Sequence, residues 1–171
     1  MQISGGISIT GGVSLTPPDS GGSGGGASNF GYASGGNGPV GYTDTIDKFP
    51  FASDGNATDV GDLTVARVNT AGQSSSDNGY TSGGYNPSYS NVIDKFSFTS
   101  DGNATDVGDL TTNRRYLAGQ SSTASGYSSG GIGLDNAIFD RIDKFPFASD
   151  ANATDVGDLT QQRYGPAGQQ Y

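Results

Sequence analysis

The chain has 171 residues and a formal net charge of −9, and all of its acidic residues are aspartates. It contains no histidine and no cysteine, which excludes a Ser-His-Asp triad, a thiol nucleophile and the usual nitrogen and sulfur ligands of zinc. The acidic balance also disfavours contact with a phosphate backbone through basic patches, so nucleic acid is not an expected partner.

The composition favours strands and turns over helices. Glycine accounts for 30 residues, and the helix-forming glutamate is absent altogether. We therefore predict an all-β fold with many loops. No stretch approaches the roughly 20 apolar residues of a membrane-spanning helix, so no membrane contact is expected. The first residues also lack the basic and apolar regions of a signal peptide, and ordinary secretion is not expected.

Residues 1–18 are predicted to form an extended N-terminal arm. Their apolar side chains partly alternate with serine and threonine, which is typical of one or two short strands. A Gly/Ser-rich linker follows at residues 19–30. Because an extended arm can add to the sheet edge of a partner, we expect docking by this segment, with a disordered leader as the alternative. The predicted docking residues are Ile3, Ile7, Ile9, Val13 and Leu15.

The remaining residues, 31–171, contain three repeats. The sequence IDKFPFASDGNATDVGDLT at residues 46–64 returns almost unchanged at residues 93–111 and 142–160. The motifs GYxSGG and AGQ and a single arginine recur with the same spacing of 47 to 49 residues. We predict repeats at about 31–78, 79–125 and 126–171. Their length varies between the double glycine and IDKF, which indicates an exposed loop.

Each repeat holds four strand candidates, centred on AGQSS, GYxSGG, IDKFxF and DVGDLT. In the third candidate, Phe49 and Phe51 share one face and Ile46 lies on the other. Apolar residues on both faces suit a sheet packed between neighbours. Pro50 and Pro146 fall within this candidate, and proline there requires a strand edge or a bulge.

A period of 47 to 49 residues with a double glycine after a short strand resembles the kelch repeat, which forms one blade of a β-propeller. The order of arginine, double glycine and later strand is similar, although DVGDL stands where the usual kelch tryptophan is expected. Propellers typically close with four to eight blades, so three do not close alone. Self-association as a dimer or trimer is therefore expected, and two chains supply six blades. The alternative is a β-trefoil or β-prism with internal three-fold symmetry.

The motif SDGNATDVGDLT and the N-terminal arm with its ITGG-like units resemble segments of structural proteins of marine bacteriophages. This resemblance implies a non-enzymatic protein of the virion, such as a fibre, a tail or neck component or a head-decoration protein. It would be anchored to other virion proteins by its arm, without a cofactor. The alternative function is a glycan-binding module for adhesion or host recognition, with a cell-surface glycan as partner. Loops after GYxSGG, such as NPSYSNV and IGLDNAIFDR, are then the expected recognition sites.

Two sets of repeated residues are candidate sites. Asp54 and Asn56 stand at the spacing of a calcium loop, but the glycine and the glutamate that complete an EF-hand are missing, which favours a tight turn and no metal. The corresponding residues of the other repeats are Asp101, Asn103, Asp150 and Asn152. The tyrosines that precede the double glycines can stack on sugars, with structural packing as the alternative. They are Tyr32, Tyr80 and Tyr127.

The charged residues of each repeat suggest one further contact. Asp47 and Lys48 lie in the same repeat as Arg67, and three equal copies of this set make a catalytic role improbable. We therefore predict an ion pair within each repeat.

Overall fold

The structure is a computed structural model that describes residues 29–170. These residues form eleven strands in three antiparallel sheets, which confirms the predicted all-β class. A short 3-10 turn at Leu134–Asn136 interrupts one loop. The predicted arm at residues 1–18, with its five docking residues, lies outside the described residues, as does the linker up to residue 28.

Each sheet is a meander in which strands adjacent in sequence are hydrogen-bonded neighbours. Sheet 1 contains β1 (Phe30–Gly38), β2 (Gly41–Pro50) and β3 (Thr58–Asp62). Sheet 2 contains β4 (Ala71–Ser74), β5 (Asn78–Tyr85), β6 (Tyr89–Ser97) and β7 (Thr105–Asp109). Sheet 3 contains β8 (Ala118–Ser121), β9 (Ser125–Ser129), β10 (Arg141–Pro146) and β11 (Thr154–Asp158).

The predicted four strands are present in sheets 2 and 3, whereas sheet 1 has three within the described residues. The AGQ segment at residues 71–73 pairs with the strand that follows it, with Ala71 opposite Ser82 and Gln73 opposite Tyr80. A sheet therefore begins at AGQ and ends at the next TDVGD, so its boundaries differ from those of the predicted repeats.

The repeated glycines are placed where the backbone bends or approaches a neighbour. Gly83 has a φ of +64°, and a β-carbon there would lie 2.7 Å from the carbonyl oxygen of Arg114. Only glycine meets both requirements without strain. The variable segment after the double glycine connects β1 to β2, β5 to β6 and β9 to β10, and Val40 in the first of these connections is fully exposed. Pro50 and Pro146 are the last residues of β2 and β10. Both are inner strands of their sheets, so the expected edge or bulge is wrong. The prolines instead end these strands, because proline has no N–H to continue the hydrogen-bond ladder.

The core lies between consecutive sheets. Between sheets 1 and 2 it consists of Ile46, Leu63, Phe96 and Ala104. The same positions one repeat along, with neighbouring residues, fill the space between sheets 2 and 3: Ala71, Tyr80, Ile93, Leu110, Leu117, Phe145 and Ala153. The isoleucine of IDKF thus faces the following sheet and the phenylalanine faces the preceding one, which confirms the predicted use of both faces.

Candidate functional site: the contacts between consecutive sheets

A buried ion pair joins each sheet to the next. Arg114 Nη2 lies 2.9 Å from Asp143 Oδ2, and Arg67 Nη1 lies 3.0 Å from Asp94 Oδ2, with all four side chains almost fully buried. Burial lowers the pKa of both arginines, and the neighbouring aspartate opposes this effect. Buried charges of this kind need partners for nearly all of their polar atoms, because removing each ion from water costs roughly several kcal/mol.

Most of the remaining hydrogen-bonding groups of this pair are used as well, although Arg114 Nε is buried without a hydrogen-bond partner. Arg114 donates to the carbonyl oxygens of Ser128 and Gly130. Asp143 accepts hydrogen bonds from the backbone N–H and the hydroxyl of Thr111, at 2.9 and 2.7 Å. Thr64 contacts Asp94 in the same way. The arrangement holds two sheets together and leaves the carboxylates committed to structural partners.

The predicted ion pair within each repeat is wrong, since these pairs connect successive repeats. The backbone of Arg67 is bound to its own sheet, because its carbonyl oxygen accepts a hydrogen bond from the N–H of Gly36. Its side chain then extends to the following sheet, where it meets Asp94. Lys48 likewise contacts Asp101 of the next repeat.

The candidate calcium ligands of the second and third repeats take part in the same contacts. Asp101 pairs with Lys48 at 3.0 Å and Asp150 with Lys95 at 2.5 Å. The side-chain oxygen of Asn103 accepts a hydrogen bond from the backbone N–H of Asp62. Asn152 does the same for Asp109. Asp54 and Asn56 belong to sheet 1, which no sheet precedes within residues 29–170. In that part of the chain, no group of three or more Asp, Glu, His or Cys is arranged to hold a metal ion.

Two of the three candidate tyrosines pack against the following sheet. Tyr32 stacks on Phe98 with ring centroids 4.7 Å apart, and Tyr80 stacks on Phe147 at 4.8 Å. Burial raises the pKa of Tyr80. Tyr127, in sheet 3, is half-buried and makes no ring contact within residues 29–170. The three tyrosines therefore occupy equivalent positions in their sheets, and the rings of Tyr32 and Tyr80 are covered by the following sheet.

The first strand of sheet 2 adds a contact that the sequence did not predict. Gln73 Nε2 in β4 donates to the carbonyl oxygen of Tyr127 and to Ser128 Oγ in sheet 3, at 3.0 and 2.9 Å. The hydroxyls of Ser82 and Ser128 lie 2.8 Å apart. The recurrence of AGQ was the only sequence signal for this role, and it did not indicate a partner.

A second missed feature is a group of tyrosines around Arg115. The guanidinium carbon of Arg115 lies 4.5 Å from the ring centroid of Tyr85, 5.2 Å from that of Tyr89 and 5.1 Å from that of Tyr116. Tyr89 belongs to the variable loop NPSYSNV, so one predicted recognition loop contributes to this group. Its counterparts differ in the other repeats.

Comparison of the chain with protein-family models and with curated proteins gave no match. Residues 29–170 hold no helix with the length and apolarity needed to cross a membrane. The candidate site is therefore interpreted from its own geometry. That geometry is one set of contacts, used between sheets 1 and 2 and again between sheets 2 and 3.

Proposed function

We propose that this protein is a non-enzymatic structural component of a bacteriophage particle. The observation that carries the proposal is the commitment of the repeated charged residues to contacts between sheets, as in the buried pairs Arg67–Asp94 and Arg114–Asp143. Repeated equal units serve construction, whereas a catalytic centre needs its residues once. The particle context rests on the resemblance of the leader and of SDGNATDVGDLT to phage structural proteins.

In this proposal the three sheets are blades of a propeller-like domain of kelch type. Support comes from the meander order of each sheet and from the adjacency of β4 and β8, the first strands of two consecutive sheets. Face-to-face packing of successive sheets also suits blades better than the β-trefoil or β-prism alternative. The arm at residues 1–18 would anchor this domain to other virion proteins.

Incorporation into particles tests the function. Deletion of residues 1–28 is expected to remove the protein from purified particles while leaving the thermal unfolding of residues 29–170 unchanged. The matched control is a full-length variant in which residues 19–28 are replaced by a Gly/Ser sequence of the same length, which should still be incorporated. Normal incorporation of the deletion variant would overturn the proposal.

Substitution of the arm residues separates docking by apolar side chains from a requirement for chain length alone. Serine at positions 3, 7, 9, 13 and 15 keeps the length of the arm but removes its apolar side chains. We expect the same loss of incorporation as for the deletion.

The second candidate function, glycan binding, is favoured by the group of Tyr85, Tyr89 and Tyr116 around Arg115. Aromatic side chains with an adjacent polar group suit a sugar, which presents both an apolar face and hydroxyls. If this function operates, Tyr89→Ala should abolish binding on a glycan array, whereas Tyr32→Ala should retain it if the fold persists. Equal binding by the wild type and Tyr89→Ala would exclude this site.

A further inference from the structure

Sheet 1 presents one half of the contact that joins consecutive sheets. Its face turned away from sheet 2 leaves Phe51 63% exposed, whereas the counterpart Phe147 is packed against the core between sheets 2 and 3. Ala57 is exposed, whereas its counterparts Ala104 and Ala153 are buried. We name this surface the leading face, formed by Ala33, Asp47, Phe49, Phe51, Asp54, Asn56 and Ala57.

Sheet 3 presents the other half. Arg163 is exposed, whereas Arg67 and Arg114 are almost completely buried by the sheet that follows each of them. Val156 is 50% exposed, and its counterpart Val107 packs against the core. We name this surface the trailing face, formed by Tyr127, Ser129, Ile142, Lys144, Val156, Leu159, Thr160 and Arg163.

Residues 167–170, AGQQ, lie next to β8, the first strand of sheet 3, on the side away from β4. The backbone N–H of Ser74 donates to Ser121 Oγ, and that of Ser121 donates to Gln170 Oε1, both at 2.9 Å. A β-carbon on Gly119 would meet the carbonyl oxygen of Gly72, and one on Gly168 would meet that of Gly119. Residues 167–170 therefore stand against β8 as β8 stands against β4, in the position of the first strand of a further sheet.

Sheet 1 lacks this first strand, since β1 is its edge within residues 29–170. AGQ begins eight residues before GYxSGG in the second and third repeats, and the corresponding residues of the first repeat are Ser23, Gly24 and Gly25. They include no glutamine to make the contacts of Gln73. The AGQQ segment supplies that residue type, and an edge strand offers unpaired backbone groups to receive it.

We propose that two copies of this chain dock head to tail, the trailing face of each against the leading face of the other. Residues 167–170 of one copy become the fourth strand of sheet 1 in the second copy. Arg163 and Thr160 bind Asp47, Lys144 binds Asp54, and Tyr127 packs on Phe51, each partner belonging to the second copy. The six sheets then form a closed ring.

The second copy is the occupant because the two faces are complementary in charge and in apolar surface. The contact between sheets 1 and 2 and that between sheets 2 and 3 use the same residue types, and both halves of a third such contact are present. A heterologous contact of this kind closes into a ring when its rotation permits. This inference uses only residues 29–170 and the sequence, so it does not depend on the proposed virion role.

Cysteine cross-linking tests the docking directly. Ser34 Oγ lies 2.7 Å from Thr81 Oγ1, and Ser82 Oγ lies 2.8 Å from Ser128 Oγ. The next pair in this series is Ser129 with Ala33 of the second copy, at a separation suited to a disulfide. The chain has no native cysteine. Mixing Ala33→Cys with Ser129→Cys under oxidation should give a disulfide-linked dimer, and each variant alone should give little. Absence of the mixed product would overturn the proposal.

Native mass spectrometry provides the second test. The wild type should have the mass of two copies, and Arg163→Ala or Asp47→Ala should each lower it to one copy without changing the far-UV spectrum. Asp135→Asn, which alters an exposed loop residue, should remain a dimer. Mixing Arg163→Ala with Asp47→Ala should restore a dimer, because one of its two contacts is then intact. A monomeric wild type, or a dimer insensitive to both alanine variants, would refute head-to-tail docking.

Discussion

Arg114 shows how strongly the contribution of one charged side chain to stability depends on its surroundings. Its guanidinium is fully buried and bound to Asp143 and three backbone carbonyls. Arg114→Ala should destabilise the protein by about 3–5 kcal/mol, because it leaves a buried carboxylate without its counter-ion. Lys95→Ala is the matched change, since Lys95 pairs with the exposed Asp150, and exposed pairs contribute about 0–1 kcal/mol. Urea unfolding of both variants measures the difference, and equal effects would contradict this account.

The buried phenol of Tyr80 predicts a loss of stability at alkaline pH. Burial raises its pKa in the folded protein, so the unfolded chain loses this proton first. The contribution is fully present below the unfolded pKa of about 10 and is lost as the pH rises through the folded value. Tyr80→Phe should therefore make the free energy of unfolding decline less steeply above that pH. Parallel urea titrations at several alkaline pH values test this, and identical slopes would argue against it.

The sequence identified the repeated residues of this site but not the residues that their side chains contact. The recurrence of Arg67 and Asp47 marked both as structural, but the sequence does not show the direction in which the arginine side chain extends. That direction depends on the hydrogen bond between Gly36 and the Arg67 carbonyl, a contact between residues far apart in the chain. For the same reason the pairing of Lys48 with Asp101 was not predicted.

At the scale of the strands, β4 and β8 lie close enough that only glycine fits between them. A β-carbon on Gly119 would meet the backbone of Gly72, which no side-chain rotation relieves. Gly119→Ala should therefore destabilise the protein by about 1–3 kcal/mol, as other overpacked sites do. Gly55→Ala is the control, because Ala151 stands at the same place in the third repeat, and its effect should stay within about 0.5 kcal/mol. Thermal and urea unfolding compare the two, and a stable Gly119→Ala variant would mean that the strands separate freely.

The strands themselves follow from local patterns, which is why their order and the loop of variable length were predictable. Alternation placed Phe49 and Ile46 on opposite faces, and the core confirms this for their counterparts Phe96 and Ile93. The division into sheets was not predictable in the same way. Whether AGQ pairs with the strand before or after it depends on contacts between separate segments, such as Ala71 opposite Ser82, which local patterns do not determine.

At the scale of the whole molecule, residues 29–170 form a series of equal contacts, and within them one half of such a contact on sheet 1 and one half on sheet 3 are not paired. The contacts between sheets 1 and 2 and between sheets 2 and 3 bury their arginine and aspartate, whereas Arg163 is exposed and Asp47 is only partly buried. An exposed apolar surface beside unpaired charges is a feature of protein interfaces rather than of a finished surface. The proposed assembly would therefore extend the interactions that stabilise the single chain and would introduce no new kind of contact.

A substitution at Gly72 distinguishes the stability of the single chain from the stability of the proposed dimer. A β-carbon there meets nothing within 4 Å in its own chain. In the proposed ring, however, Gly72 would face the carbonyl oxygen of Gly168 of the second copy, as Gly119 faces Gly72. Gly72→Ala should therefore leave the unfolding of the dissociated chain unchanged, or stabilise it slightly by restricting the unfolded state. The same variant should raise the dimer dissociation constant at least about tenfold. Sedimentation velocity over a concentration series measures that constant, with Asp135→Asn, which lies outside both faces, as the control. A Gly72→Ala variant that dimerises as tightly as the wild type would show that this row of glycines does not continue from one copy into the next.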